Sequence, residues 1–259
     1  MSEKKKRRQN HDMNGLSLFS GIGGLDLAFE WAGGNVMAMC EINPYCQKVL
    51  CKHWPNTPIY SDIHELSKEV IQNAGIFETI DIIYGGFPCQ PFSVAGEQKG
   101  KDDSRYLWPE FSRLVGEFKP RWVLAENVPG ILSIAADDIC RDLERQDYEV
   151  GIWDYEAAAV GAPHRRERIF FVAHSRRSLL QRSYKQRILQ NEAEEGTSHI
   201  SERPSSAYGL YGQWQSEPRV DRVAYGLSHR MDRLRALGNS VVPQQVYPLF
   251  KAIMESDKS

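Results

Sequence analysis

The chain lacks the cysteine patterns that build a scaffold. It has five cysteines, an odd number, and no two of them form a Cys-x-x-Cys pair. Neither a disulfide framework nor a structural zinc site is therefore indicated, and no metal is expected. Reduced cysteines are typical of the cytoplasm, which is the predicted location.

Long apolar runs and an excess of charge of one sign are also absent. No stretch approaches the ~20 apolar residues of a membrane span, so no contact with a membrane is expected. The formal net charge is only −2. A nucleic-acid partner would therefore have to meet positive charge that is concentrated on one face.

The first twelve residues differ from the rest of the chain. They contain the basic run from Lys4 to Arg8 with no apolar stretch behind it, which argues against a secretory signal. We predict a disordered basic tail over 1–12, and Met13 could serve as a second start. A nuclear address and a non-specific nucleic-acid arm remain alternatives for this tail.

Strands and helices alternate along the first two thirds of the chain. Apolar runs predict strands at 16–19, 36–40, 80–84, 122–125 and 169–172, and apolar residues at helical spacing predict helices at 25–32, 44–53, 108–118 and 137–145. This order is typical of an α/β fold with a mostly parallel sheet that helices cover on both faces. A chain of 259 residues can hold one such core and a small appendage.

The pattern changes after Val172. Residues 174–232 are polar, carry Gly, Ser and Arg with scattered aromatics, and show no sustained period. We therefore predict a small separate domain at 174–232, between a main domain at 13–173 and a closing segment at 233–259. Within the closing segment, apolar spacing predicts a helix at 244–254.

A thiol between two prolines is the clearest functional signal. The segment from Phe87 to Pro91, with Cys89 at its centre, follows a predicted strand and the pair Gly85-Gly86. Prolines fix φ on both sides and remove backbone donors, so the loop can aim the thiol at a substrate. A buried structural cysteine is the alternative for this residue type alone. The context favours a nucleophile.

A glycine turn, from Gly21 to Gly24, joins the first predicted strand to the first helix. Such turns let backbone amides and a helix N-terminus approach a nucleotide cofactor. A dinucleotide fingerprint would require a third glycine at Asp26, which argues against NAD. Glu41, at the end of the second strand, is placed to accept hydrogen bonds from ribose hydroxyls, and Asp62 with Ile63 could hold an adenine. A solvated loop carboxylate remains the alternative reading of both acids.

Five segments of the chain resemble motifs of the DNA (cytosine-5) methyltransferases of prokaryotes and phages. They are Phe19 to Gly24, Pro88 to Pro91, Glu126 to Pro129, Pro163 to Phe170 and Gly238 to Pro243, and they occur in the family's order. The resemblance covers residues 16–172 and 234–254. It implies the Rossmann-like fold of S-adenosylmethionine-dependent methyltransferases, with a small irregular target recognition domain at 174–232.

The resemblance implies S-adenosylmethionine as the cofactor, with S-adenosylhomocysteine as its product. In the family's pattern Phe19 stacks near the adenine, Glu41 binds the ribose, and Asp62 with Ile63 holds the adenine. The full set of implied cofactor residues is Phe19, Ser20, Gly21, Gly23, Gly24, Glu41, Ile42, Asp62, Ile63, Pro88, Leu107, Asn239 and Val241.

The resemblance also implies a covalent mechanism. Carbon 5 of cytosine is too weak a nucleophile to take a methyl group from a sulfonium unaided, so a thiolate must first add at carbon 6. Cys89 would supply that thiolate, and Glu126 would donate a proton or a hydrogen bond at ring nitrogen 3. Arg168 would contact the cytosine oxygen with support from Arg166. The family often has Gln where this chain has His164, whose role stays open.

Double-stranded DNA is the implied partner, with the cytosine flipped out of the duplex. The loop at 96–105 resembles the family's lid over the active site, and positive and aromatic side chains in 174–232 suit phosphate and base-edge contacts. The residues predicted to contact DNA are Gln90, Ser93, Lys99, Arg105, Arg176, Arg177, Trp214, Arg219 and Arg222. We expect a monomer, accompanied in function by a restriction endonuclease that does not bind it.

Two other functions are alternatives to this one. A transfer RNA cytosine methyltransferase could use the same scaffold, although the RNA branch of the family has a different residue at the position of Gln90. A catalytically silent DNA-binding relative should have lost Cys89, Glu126 or Gly21, and none of these is lost.

Overall fold

The computed structural model describes residues 13–88, 106–177 and 230–258. In these ranges the strands are β1 (Met13–Leu18), β2 (Gly34–Cys40), β3 (Ile59–Tyr60), β4 (Ile82–Gly86), β5 (Trp122–Asn127), β6 (Tyr148–Tyr155) and β7 (Arg168–Ser175). The helices are α1 (Gly24–Trp31), α2 (Pro44–His53), α3 (Lys68–Asn73), α4 (Trp108–Phe118), α5 (Ile131–Ile134), α6 (Ala136–Arg145), α7 (Arg230–Asn239) and α8 (Pro243–Lys258). A short 3-10 helix covers Ala157–Val160.

The strands form one sheet in the order β3-β2-β1-β4-β5-β7-β6. The pairs among β1 to β5 are parallel, and β7 runs antiparallel to both of its neighbours. The predicted mostly parallel α/β sheet is confirmed. The strand order reverses between β1 and β4, which is where open α/β sheets place ligand sites, at the carboxyl ends of the strands.

Apolar helix stripes cover both faces of the sheet. On one face α4 buries Trp108 and Phe111, and α6 buries Leu143. On the other face α1 and α8 bury Phe29 and Phe250, whose ring centroids lie 5.2 Å apart. Because each helix carries its apolar residues at helical spacing, it can only bury them by lying on the sheet. The helices thereby hold the carboxyl ends of the central strands in one row.

The predicted bounds of α2 and α4 are confirmed, and α2 shows why they were readable. Pro44 occupies the first turn, and Asn43 Oδ1 accepts a hydrogen bond from Tyr45 N at 2.8 Å. A capping side chain followed by proline is a local signal that needs no tertiary information. The closing helix α8 runs from Pro243 to Lys258, longer than the predicted 244–254.

Strand β6 is not among the predicted strands: its apolar residues Tyr148, Val150 and Ile152 alternate with Glu149 and Gly151 instead of forming a run, and it is an edge strand. Strand β7 also continues beyond the predicted domain boundary at 173, since His174 pairs with Trp122 and Ser175 pairs with Tyr148. Residues 1–12 and 178–229 lie outside the described residues, so the basic tail and the small separate domain stay predictions. None of the described helices is long and apolar enough to cross a membrane.

Candidate active site

Five strands bring the predicted site residues to one edge of the sheet. Gly86, the last residue of β4, pairs with Glu126 on β5. Because β7 is antiparallel, its first residue, Arg168, lies at this same edge, and the next residue, Ile169, pairs with Asn127. The carboxyl ends of β1 and β2 complete the edge and lead into the predicted cofactor residues.

A buried ion pair joins Glu126 and Arg168. Glu126 Oε1 lies 2.8 Å from Arg168 Nε, and the two side chains expose only 11% and 14% of their surfaces. Burial raises the pKa of Glu126 from 4.5 to about 6, against the attraction of Arg168 and Arg166, which lowers it. A carboxyl group with such a pKa can both hold and release a proton near neutral pH, as a general acid must.

The Gly85-Gly86 pair makes room for this carboxylate. A Cβ added to Gly86 would overlap Glu126 Oε2, and one added to Gly85 would overlap the carbonyl oxygen of Leu18. A larger side chain at either position would therefore displace Glu126 or separate β4 from β1. Sequence reasoning treats these glycines only as the approach to Cys89, because their cross-strand neighbours are remote in sequence.

Phe87 and Asn127 set the direction in which the chain leaves β4. The Phe87 ring is buried with its centroid 5.3 Å from that of Trp108, and the Phe87 carbonyl oxygen accepts a hydrogen bond from Asn127 Nδ2 at 3.1 Å. Asn127 was not predicted as a site residue, although it directly follows Glu126. Pro88, half-buried, is the last described residue of this segment. Cys89, Gln90, Ser93, Lys99 and Arg105 lie outside the described residues.

The buried cysteines are poor candidates for the nucleophile. Burial raises the pKa of the Cys40 thiol to about 12 and that of the Cys46 thiol to about 11. Both thiols stay protonated near neutral pH, whereas the thiolate is the reactive form. Cys51 is exposed on α2 and is not at the carboxyl edge of the sheet.

Glu41 holds the glycine turn in place. Its Oε2 accepts a hydrogen bond from Gly21 N at 2.7 Å, and its Oε1 accepts one from Asn43 N at 2.8 Å. A carboxylate has roughly four lone-pair sites, so capacity remains for the hydroxyls of a ribose. The predicted ribose ligand is thus also the residue that shapes the turn.

The space beside the turn is open. Phe19 and Gly21 both adopt left-handed backbone angles, with φ of 53° and 56°, and a Cβ added to Gly21 would meet no described atom within 4 Å. Ile42, which follows Glu41, exposes 73% of its surface. An open turn flanked by a carboxylate and an exposed apolar side chain suits a nucleoside cofactor. Its polar groups can bind the backbone amides of the turn, and its flat ring can pack on the apolar side chain.

Asp62 and Ile63 are brought to Glu41 by the short pairing of β2 with β3. Glu41 N donates to Tyr60 O at 2.9 Å. Asp62 Oδ1 accepts hydrogen bonds from His64 N at 2.9 Å and from His64 Nδ1 at 2.7 Å, and these bonds lower the pKa of Asp62. Ile63 is buried beside this exposed carboxylate.

The other predicted cofactor residues of the turn serve the fold as well. Ser20 is buried and its Oγ lies 2.8 Å from Ser17 Oγ. A Cβ added to Gly23 would overlap the Trp54 ring. Leu107, a predicted cofactor residue outside the turn, is partly buried and precedes α4 as its N-cap residue.

The closing segment reaches the turn at Gly24. A Cβ added to Gly24 would overlap Ser240 Oγ and the Val241 carbonyl oxygen, so this approach requires glycine. Val241 is buried there, while Asn239 is exposed at the end of α7. Two predicted cofactor residues are therefore brought next to the glycine turn from a position more than two hundred residues along the chain.

Arg166 binds the backbone of the closing segment. Its Nη2 donates to Gly238 O at 2.7 Å and also to Ser240 O. Its backbone is left-handed, with φ of 39°, which is unfavourable for a residue with a side chain. The guanidinium group thus links the segment before β7 to the loop before α8.

Arg176 and Arg177 lie at the opposite edge of the sheet. Arg177 Nη2 is 3.0 Å from Asp147 Oδ2, and Arg176 N donates to Asp147 O at 2.8 Å. The eight residues of β7 separate these arginines from the site edge by roughly 25 Å. The predicted DNA contacts of Arg176 and Arg177 stay predictions. Trp214, Arg219 and Arg222 lie outside the described residues.

Acidic, histidine and cysteine side chains do not cluster for metal binding in the described ranges. Within 13–88, 106–177 and 230–258, no group of three or more such side chains could hold a metal ion.

The known proteins to which the chain is similar are named as methylases or methyltransferases. The profile of the C-5 cytosine-specific DNA methylase family matches residues 13–220. The Type II methyltransferase M.AquIA of Picosynechococcus sp. is 36% identical over 175 residues, covering 61% of this chain and 71% of the relative. The Type II methyltransferase M.FnuDI of Fusobacterium nucleatum is 38% identical over 162 residues, covering 61% of this chain and 45% of the relative.

A solved structure agrees with these relatives. It is a candidate DNA modification methyltransferase encoded within an E. coli prophage, with a TM-score of 0.56 and 35% sequence identity. The match covers 63% of this chain and 47% of that one, so the chain spans about half the length of this protein and of M.FnuDI. The methyltransferase fold that the resemblance implied is confirmed.

Proposed function

Because the chain belongs to the C-5 cytosine-specific DNA methylase family, we propose that it methylates carbon 5 of cytosine in a short sequence of double-stranded DNA. The observation that carries the proposal is the buried ion pair between Glu126 and Arg168. Glu126 pairs with Gly86 on the neighbouring strand, and Gly86 lies three residues before Cys89 in the chain. The proposed methyl donor is S-adenosylmethionine, which when bound supplies the methyl group from its sulfonium and leaves as S-adenosylhomocysteine.

Cys89 is the proposed nucleophile. Its thiolate adds to carbon 6 of cytosine, which forms an S–C bond and moves the ring electron pair to carbon 5. The electron pair on carbon 5 then forms the bond to the methyl group, and later loss of the carbon 5 proton to solvent returns an electron pair to the ring and expels the thiolate. The anchoring of Phe87 by the Trp108 ring and by Asn127 supports this role, since it gives the chain a defined direction just before the thiol.

Glu126 and Arg168 are proposed to recognise and polarise the base. Addition at carbon 6 pushes charge onto ring nitrogen 3, where Glu126 donates a proton or a hydrogen bond. Arg168 contacts the cytosine oxygen and keeps Glu126 in place. The burial of both side chains supports this assignment, because electrostatic interactions are stronger away from water. The base must be flipped out, since carbon 6 cannot be reached in the stack.

The proposed cofactor site follows the glycine turn. Glu41 binds the ribose hydroxyls, and Asp62 with Ile63 holds the adenine next to Phe19 and Ile42. The open space beside Gly21 and the remaining acceptor capacity of Glu41 support this arrangement. Pro88, Leu107, Asn239 and Val241 complete the proposed site.

Sequence specificity is proposed to come from residues between β7 and α7. This part of the chain has the composition of a nucleic-acid surface, and the family profile extends into it as far as residue 220. We also propose that the chain acts as a monomer in the cytoplasm. The name "Type II methyltransferase" of both relatives supports a functional pairing with a restriction endonuclease.

Bisulfite sequencing of DNA from cells that express the chain tests substrate and sequence together. The expected result is 5-methylcytosine at one short sequence. Unmodified DNA, or methylation that appears only in transfer RNA, would contradict the proposal.

Trapping on 5-fluorocytosine tests the covalent step. Fluorine blocks the loss of the carbon 5 proton, so a duplex with this base in the site should give an adduct that survives denaturation when S-adenosylmethionine is present. Cys89→Ser should abolish the adduct, whereas Cys51→Ser, at an exposed cysteine of α2, should leave it intact. An equal adduct with Cys89→Ser would remove Cys89 from the mechanism.

A further inference from the structure

A buried glutamine on α8 joins the end of β6 to the segment before β7. Gln245 is fully buried, and its Nε2 donates to the carbonyl oxygens of Tyr155 at 2.5 Å and of Arg166 at 2.9 Å. Its Oε1 is also buried and has no hydrogen-bond partner among the described residues. An unsatisfied buried acceptor costs about 1 to 3 kcal/mol, so an apolar side chain would suit packing alone better. What the amide contributes at this position is therefore its two donated bonds.

Arg166 is held at both ends by the closing part of the chain. Gln245 binds its carbonyl oxygen, and its own guanidinium group donates to Gly238 O and Ser240 O. The left-handed backbone at Arg166 is unfavourable for a non-glycine residue and persists only where the surroundings impose it. The bond from Gln245 is one such constraint, acting directly on the strained residue.

The constraint is transmitted to the ion pair over two residues. Arg168 begins β7 directly after Glu167, and its Nε contacts Glu126 Oε1 at 2.8 Å. A change in the backbone at Arg166 therefore changes the position of Arg168 and its contact with the Glu126 carboxylate. On the other side, Ser240 lies against Gly24 in the glycine turn, so the same contacts connect the proposed cofactor site with the ion pair.

We propose that Gln245 is a positioning residue for the methyl transfer: it holds the segment before β7 so that Arg168 meets Glu126, and it ties that segment to the loop beside the glycine turn. This inference rests on the proposed function and adds to it a residue that touches neither the base nor the cofactor. It predicts that loss of the amide weakens the contact of Arg168 with Glu126 without removing either group.

The test compares Gln245→Met with Gln244→Met in the full chain. Methionine has a similar length and no donor, and Gln244 is a half-buried residue of the same type on the same helix that takes no part in these contacts. In single-turnover methylation of duplex DNA, Gln245→Met should be slowed roughly 10- to 100-fold, as is typical when a reacting geometry is displaced. Gln244→Met should match the wild type.

The pH profile separates positioning from a general loss of stability. Arg168 and Arg166 both lower the pKa of Glu126, so a weaker contact raises it, and the descending limb of the rate profile should move to higher pH in Gln245→Met. A slower enzyme with an unmoved limb, or a variant that behaves like Gln244→Met, would overturn the inference. If Gln245→Met does not fold, Gln245→Asn, which keeps a shorter amide, should show the same direction of shift, and an unmoved limb there would also overturn it.

The wild type distinguishes this inference from the function on which it rests. If the wild type does not methylate DNA, or if Glu126→Gln leaves its pH profile unchanged, the proposed roles fail and the inference fails with them. If both behave as proposed while Gln245 and Gln244 variants are alike, only the positioning role is wrong.

Discussion

Arg168 Nε lies 2.8 Å from Glu126 Oε1, although 42 positions separate the two residues in the chain (168 minus 126). The contact depends on the antiparallel direction of β7. Glu126 lies near the carboxyl end of β5, and only an antiparallel neighbour can place its first residue at that end. In a fully parallel sheet Arg168 would begin its strand at the opposite edge, so the one reversed strand creates the charged centre of the site.

Replacing the Glu126 carboxyl group should separate chemistry from binding. Glu126→Gln should slow methylation by roughly two to four orders of magnitude, the usual contribution of a positioned acid or base. Wild-type activity should fall as the pH rises through the pKa of Glu126, which is about 6 without substrates, because the protonated form donates. Single-turnover transfer of a labelled methyl group measures the rate, and calorimetry should show retained cofactor and DNA affinity. Normal turnover in the variant would leave Glu126 with a structural role only.

Adding one methyl group at Gly86 should disturb the Glu126–Arg168 pair from the neighbouring strand β4. The new Cβ would overlap Glu126 Oε2, so Gly86→Ala should displace the carboxylate and lower activity at least tenfold, in line with other small displacements of a reacting group. The matched control is Gly130→Ala, where an added Cβ meets nothing within 4 Å among the described atoms and φ is −56°. Methylation assays with thermal unfolding as the check on folding would decide. Equal activities of the two variants would mean that Glu126 can move without cost.

Glu41 is expected to control cofactor affinity through two effects. Glu41→Ala removes the acceptor for Gly21 N and the proposed ribose ligand together, so S-adenosylmethionine binding should weaken at least tenfold, about 1.4 kcal/mol. DNA affinity should change less, because Glu41 lies on the cofactor side of the edge. Titration calorimetry measures the first, and Glu65→Ala, at an exposed acid nearby, serves as the control. Unchanged cofactor affinity in Glu41→Ala would count against the ribose role.

Asp26 should make the stability of the fold depend on pH. It is fully buried, accepts a hydrogen bond from Tyr84 Oη at 3.0 Å, and burial raises its pKa from 3.8 to about 6. The folded state thus binds this proton more tightly than the unfolded chain, so the stabilisation is complete below pH 3.8 and is lost as the pH rises through about 6. Between pH 5 and pH 7.5 the wild type should lose about 1 kcal/mol more unfolding free energy than Asp26→Asn. Urea denaturation at the two pH values tests this, and parallel losses would contradict it.

Exchange of the segment between β7 and α7 should move specificity. Because β7 ends at Ser175 and α7 begins at Arg230, the exchange should use 178–229 rather than the predicted 174–232. A segment of this size suits a recognition sequence of roughly four to six base pairs. Bisulfite sequencing should show that a folded chimera methylates the donor's sequence, while Arg177→Ala, which only breaks the exposed pair with Asp147, keeps the original one. An active chimera that still methylates the original sequence would place specificity in the main domain.

The amino-acid sequence by itself determined the features that are local. Alternating apolar runs identified the α/β class and five of the strands, and apolar residues at helical spacing gave the bounds of α2 and α4. Glu41 and Glu126 were also readable as candidates, since Glu41 directly follows a predicted strand and Glu126 begins the motif from Glu126 to Pro129. Strand β6 was missed, because its apolar residues form a short alternation at Tyr148, Val150 and Ile152 rather than the apolar run that marked the other strands.

The tertiary structure decided everything that depends on pairing across the sheet. It selected Arg168 as the partner of Glu126, required glycine at Gly86 beside that carboxylate, and turned Arg166 towards the closing segment. It also placed Arg176 and Arg177 at the far edge of the sheet, where both contact Asp147. Strand direction and register arise from contacts between residues that are remote in sequence, and a motif states which residues are present but not which of them face each other.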